Sequence, residues 1–179
     1  MWLSLLLAAC GYNQAYDGHT PYYGISEGSQ VELRQALTLL PGRARAFLQR
    51  GALVSGRLDQ YHPHCNFEVR TLSDEARSIA PDSFVVVRLQ LGFTEVVSLE
   101  PVRLAMLNTS AWYPADGPLI SRYVHLYLAS KRQPDVLRLT CHGAFDFMPE
   151  AQWPTVEEMQ EALGGIAELQ QMPLPGIIR

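Results

Sequence analysis

The segment QYHPHCNFEVR (60–70) places His62, His64 and Cys65 within four residues, and a second pair, Cys141 and His142, sits in VLRLTCHGAF (136–145). Imidazole nitrogens and thiolates are ligands that zinc and copper favour, so one chemistry on offer is a metal site. The other is a disulfide, because two distant cysteines in an oxidising compartment most simply bond to one another. The choice depends on which faces these side chains occupy.

Both segments read as strands. In the first, Cys65, Phe67 and Val69 share one face, and His64, Asn66, Glu68 and Arg70 share the other. In the second, Leu137, Leu139, Cys141 and Phe145 alternate with Arg138, Thr140, His142 and Asp146. Period-two geometry directs both sulfurs inward and both histidines outward. A Cys65–Cys141 disulfide would close a loop of about seventy-five residues, worth about 4 kcal/mol on chain-entropy grounds. If the strands are antiparallel neighbours with the cysteines opposed, His64 faces His142 and His62 lies two residues along. Cross-strand partners bring their Cβ atoms to about 5 Å. His62, His64 and His142 are therefore the candidate ligands for copper or zinc. A parallel pairing, or a bridge between two packed sheets, would separate them, and Pro63 can delay the start of the strand. The plainer expectation is that these histidines are polar residues at solvent positions.

Other chemistry finds less support. The carboxylates Asp59, Glu68, Asp74, Glu75, Glu95 and Glu100 are dispersed, and His125 between Val124 and Leu126 reads as a polar-face residue. GISEG (24–28) matches the G-x-S-x-G pattern but lacks the buried strand before it and the helix after it that a nucleophile elbow needs. No phosphate-cradling loop or dinucleotide fingerprint is present. A non-catalytic protein with no resident cofactor is expected, copper or zinc being the alternative. The net charge is −4 over 179 residues, Lys131 is the sole lysine, and the arginines are scattered singly. Without a basic stripe to displace phosphate counterions, nucleic acid is not an expected partner. The aromatics Trp112, Tyr113, Tyr123, Tyr127, Phe145, Phe147 and Trp153 suit either a core or a groove, so a small apolar ligand in a barrel mouth is a further alternative.

The elements that must position these residues are mostly β. Segments 30–39, 43–49, 65–72, 83–91, 94–99, 102–107, 123–129 and 136–145 alternate apolar and polar residues or carry short apolar runs. Breaks fall at Pro41-Gly42, Arg50-Gly51, Ala80-Pro81-Asp82 and Gln133-Pro134-Asp135, and Gly92 suggests a hairpin or a bulge. The expected fold is mainly β, an antiparallel sandwich or barrel of about eight strands, with one C-terminal helix over 155–172. Thr155 and Glu158 have capping-box spacing, and Val156, Met159, Leu163, Ile166 and Leu169 recur on one helical face. The Gly164-Gly165 pair either breaks that helix or permits close packing.

The first residues, MWLSLLLAAC, form an apolar run closed by small residues and Cys10. It is too short to span a bilayer as a helix, which takes about twenty residues. It matches the apolar core and small-residue end of a secretory signal, here residues 1–9 without the usual basic start, as in a clipped leader. Leu7-Ala8-Ala9-Cys10 resembles a bacterial lipobox, in which the cysteine becomes the lipidated first residue. Gly11 in place of an aspartate implies the outer membrane. Residues 10–29, rich in Gly, Tyr and small polar residues, read as a tether, and residues 30–179 as a single domain.

Together, LAAC, QYHPHCNFEVRTL, IAPDSF and DVLRLTCHGAFD resemble a family of uncharacterised proteobacterial outer-membrane lipoproteins of this length. The resemblance implies a location and no catalytic residue. The expectation is a lipid-anchored protein on the periplasmic face of the outer membrane, held through Cys10. It would act as a non-catalytic interaction or accessory module with a periplasmic or outer-membrane protein partner.

Overall fold

A computed structural model describes residues 25–97 and 118–171. Cys10, most of the tether, the segment 102–107 and residue 172 lie outside them. Among the described residues, eleven strands and one helix follow in chain order. They are β1 (Gln30–Leu33), β2 (Leu37–Leu39), β3 (Arg45–Gln49), β4 (Ala52–Leu53), β5 (His64–Val69) and β6 (Arg77–Ile79). Then come β7 (Asp82–Val97), β8 (Leu119–Ala129), β9 (Val136–His142), β10 (Asp146–Phe147), α1 (Val156–Leu163) and β11 (Ala167–Gln170).

The main sheet runs β11-β1-β7-β8-β9-β5-β3-β4, with β10 paired to β8, and β2 and β6 form a separate two-stranded sheet. All of these pairings are antiparallel. The sheet curls into a half-barrel, and α1 packs against β3, β5 and β11. Phe67, Phe84, Leu126, Leu139, Met159 and Leu163 are fully buried in the core between them. Leu37, Leu39 and Ile79 of the small sheet join the same core.

Several elements depart from their sequence pattern for local reasons. The segment 30–39 is two strands, because the backbone N–H groups of Arg34 and Gln35 both donate to the Ile166 carbonyl (2.8 and 3.3 Å) and the chain turns there. The strand β7 runs through Gly92 without a hairpin, and its register slips between Val86 and Arg88 instead. The Tyr123 ring crosses Gly92, where a Cβ would lie 2.5 Å from Tyr123 Cζ and the ring would have to move. A slip on β9 skips Leu137, so that Val136 rather than Leu137 enters the core.

The helix is capped as its sequence requires. Thr155 Oγ1 accepts from the Glu158 N–H (3.2 Å), and the Thr155 N–H donates to Glu158 Oε2 (2.8 Å). It ends at Leu163, well short of 172, because Gly164 turns to φ +56°. That residue also touches backbone: a Cβ on Gly164 would sit 2.4 Å from Gly51 Cα, while the Gly51 N–H donates to the Ala162 carbonyl (3.1 Å). Glycine at 164 therefore both stops the helix and lets it dock on the β3–β4 turn.

Beyond this stop the chain returns as β11 and pairs with β1. Its outward edge is covered by α1. The Gln160 side chain donates to the Ala167 carbonyl (3.0 Å) and accepts from the Leu169 N–H (3.0 Å). Side-chain caps of this kind block pairing with another strand, and the opposite edge is the two-residue β4.

Candidate functional site

The strands β5 and β9 pair with Cys65 opposite Cys141 and His64 opposite His142. The cysteines form a disulfide, with both residues fully buried and their Cα atoms 4.0 Å apart. Helix α1 lies over it, with the Met159 carbonyl oxygen 3.8 Å from Cys65 Sγ. The same register stacks the His64 and His142 rings at 4.8 Å between centroids, with 5° between their planes.

His62 does not join them. The strand begins only at His64, and the half-exposed His62 ring turns to Asp59, Nδ1 to Oδ2 2.9 Å. Gln49 fixes this loop by donating to the carbonyls of Asp59 (2.7 Å) and His62 (3.2 Å) and accepting from the Asp59 N–H (3.2 Å). Among the described residues, no group of three or more His, Cys, Asp or Glu is placed to hold a metal ion. The stack supplies a physical reason. An imidazole lone pair lies in its ring plane, and two stacked, nearly parallel planes have no point where one ion could meet both.

The outer face of β3, β5, β9, β8 and β7 is organised in three transverse rows. His64, His142, Tyr123 and Gly92 form the first, and Phe47, Asn66, Thr140, His125 and Gln90 the second. The third is Arg45, Glu68, Arg138, Tyr127 and Arg88. Tyr123 bridges the rings of the first two rows, 5.1 Å from His142 and 4.4 Å from His125. In the third row Glu68 accepts from Arg45 (3.1 Å) and Arg138 (3.0 Å), while the Arg88 guanidinium lies 3.8 Å over the Tyr127 ring. These residues are not the solvated face that alternation alone suggests. His64 is 5% exposed, and Asn66 and Thr140 are 2% exposed.

Burial fixes the protonation of this face. It pushes the His142 imidazole down to about 3, with His64, His125 and Arg45 adding to the shift. It pushes His125 down to about 4, with Arg138 the next contributor. His64 is lowered by burial against the opposing effect of its bond to the His62 carbonyl. All three imidazoles are neutral at pH 7. For Glu68, burial would raise the pKa, but the hydrogen bonds from Arg45 and Arg138 outweigh it and hold the carboxylate below its usual range.

The tautomers of the stacked pair follow from their partners. His64 Nδ1 meets the His62 carbonyl at 3.3 Å, and a carbonyl only accepts, so Nδ1 carries the hydrogen. His142 Nδ1 meets Ser121 Oγ at 3.3 Å, while the Ser121 hydroxyl donates to the Gly143 carbonyl at 2.9 Å. Its single hydrogen being spent there, Ser121 accepts from His142. The contact therefore runs opposite to a base-activated serine nucleophile, in which the imidazole accepts the hydroxyl hydrogen. His125 uses Nδ1 toward Thr140 Oγ1 (2.8 Å). Each imidazole spends Nδ1 on the protein, and each Nε2 is left facing solvent without a protein partner among the described residues.

Sequence reasoning singled out His64 and His142, counted Tyr123 only among aromatics for a core or a groove, and read His125 and Asn66 as polar-face residues. The alternation in YVHLYLA does put Tyr123, His125 and Tyr127 on one face. What it omits is that β8 pairs with β9 in the register that sets Tyr123 beside His142.

Two surface clefts lie elsewhere. One, of about 590 Å³, is lined by residues including Arg70, Asp82, Val85, Leu128 and Arg132, and the other by residues 57–61. No family model, no curated protein and no solved structure matches the chain.

Proposed function

We propose that this protein is exported, anchored by a lipid on Cys10 at the periplasmic face of the outer membrane, and acts as a non-catalytic interaction or accessory module. The observation that carries this reading is the sequence Leu7-Ala8-Ala9-Cys10-Gly11, in which an apolar run ends in small residues and a cysteine. The Cys65–Cys141 disulfide fits the same compartment, since such bonds persist where thiols are not kept reduced.

A contact surface rather than an enclosed reaction chamber also suits a module. The strand β7 exposes Val87, Leu91 and Phe93, which are 50%, 40% and 52% exposed. Apolar side chains grouped on one strand are the kind of surface that a protein partner covers.

The test is expression in a Gram-negative host with labelled palmitate, followed by membrane fractionation. The wild-type chain is expected in the outer-membrane fraction carrying label, and Cys10→Ser in the soluble periplasmic fraction without it. Label that persists in Cys10→Ser, or free thiols at Cys65 and Cys141 in the purified wild type, would contradict the reading.

A further inference from the structure

We propose that the outer face of β3, β5, β9 and β8 binds a saccharide, with His64 and His142 accepting its hydroxyl hydrogens, the Asn66 amide bonding a hydroxyl between them, and Tyr123 and its neighbouring rings carrying its sugar faces. The starting observation is Asn66. Its side chain is buried in the middle of the central row, and its Oδ1 is a buried acceptor without a hydrogen-bond partner. An unmet acceptor at such a site costs about 1–3 kcal/mol, so its retention needs a reason. Beside it stand two imidazoles whose Nδ1–H groups are committed to the His62 carbonyl and Ser121 Oγ. Both Nε2 atoms are thereby left as bare lone pairs toward solvent.

The ligand class follows from what these atoms can tolerate. Two bare imidazole lone pairs repel a carboxylate or phosphate held directly over them. A cation is disfavoured as well, because Arg45, Arg138 and Arg88 border the same face and the parallel stack cannot chelate an ion. An apolar ligand would leave every acceptor unmet. A neutral ligand dense in hydroxyls donates to both imidazoles and exchanges hydrogen bonds with the Asn66 amide, and aromatic rings accept the C–H faces of a sugar.

The dimensions agree. The three rows are about 7 Å apart along the strands, so the face spans about 14 Å, room for a few sugar residues. The rings of Phe47, His64, His142, Tyr123, His125 and Tyr127 follow one another across it at 4.4–6.4 Å between centroids. At the far end, Arg88 over Tyr127 offers a place for an anionic substituent away from the acceptors. This inference does not depend on the lipid anchor and stands or falls separately from it.

The test is an NMR titration of the full chain with chitohexaose, cellohexaose and an oligogalacturonate, the last probing the arginine end. At least one is expected to shift the His64 and His142 Nε2 signals and the Asn66 side-chain amide. Tyr123→Leu and Asn66→Leu are each expected to weaken that binding about tenfold, the equivalent of about one hydrogen bond or ring contact. Arg88→Gln, at an exposed position, keeps the test open should a buried variant fail to fold, and it should weaken the acidic oligomer more than the neutral ones. Zinc alone should leave the imidazole signals in place. The proposal is overturned by no shift with any of the three sugars at millimolar concentration, by shifts that map off this face, or by a zinc-induced shift of the imidazoles.

Discussion

The two faces of the β5–β9 pair are built from alternate residues of the same strands and held together by opposite means. On the inner face Cys65, Phe67, Leu139 and Cys141 are closed by a covalent bond and by burial beneath α1. On the outer face His64, Asn66 and Thr140 are almost as buried and His142 is partly so, yet they are polar and incompletely partnered. Burial alone therefore does not separate structural from functional positions here. What separates them is whether their bonding capacity is spent. The inner face has nothing left to offer, whereas the outer face keeps acceptors in reserve.

The comparison can be broken from the inner side first. Phe67→Ala removes a fully buried ring and is expected to cost about 3–5 kcal/mol, measured by urea denaturation. Stability unchanged within error would mean that the core is elsewhere. Removing the disulfide by Cys65→Ala with Cys141→Ala is expected to cost about 4 kcal/mol, because the loop it closes separates residues 76 apart in sequence. These losses should be nearly independent of pH between 5 and 8, since neither involves a titrating group.

The outer face should behave in the opposite way. Its histidines titrate in the unfolded chain near 6.5 and in the folded one near 3 for His142 and near 4 for His125. Between these limits the unfolded state binds more protons, so stability is complete above about pH 6.5 and is lost as pH falls toward 3. Glu68, held low by Arg45 and Arg138, adds a loss in the same direction below its unfolded value of 4.5. The denaturation midpoint should fall steadily from pH 7 to pH 4. A flat profile would show that these imidazoles are not buried neutral.

Smaller effects sharpen the account of what positions this pair. Gly164→Ala should cost more than about 1 kcal/mol, because it forces a side chain into φ +56° and against Gly51. Thr155→Ala, which removes the helix cap, should cost about 1 kcal/mol. If Gly164→Ala were neutral in thermal melts, the dock of α1 on the β3–β4 turn would not be a constraint.

Much of the inner face was legible in the sequence, because cysteines at apolar positions of two alternating strands can satisfy both patterns in one register. The antiparallel β-rich fold and its capped helix were readable for the same reason. The register slips at Val87 and Leu137 were not, since an extra residue there leaves no mark in an apolar run. Nor was β11, whose sequence AELQ continues a helical pattern until Gly164 and the pairing with β1 override it. On the outer face, alternation correctly separated histidines from cysteines but implied solvent exposure. Neighbouring rings bury one another there, and that depends on the order β3-β5-β9-β8, which residue spacing does not encode.

The contrast between a spent and an unspent face rests on the tautomers of His64 and His142. A long-range proton–nitrogen correlation spectrum of the full chain at pH 7 reads them directly. The account predicts neutral rings with the hydrogen on Nδ1 and a bare Nε2 in both residues. Hydrogen on Nε2, or an imidazolium in either ring at that pH, would contradict it.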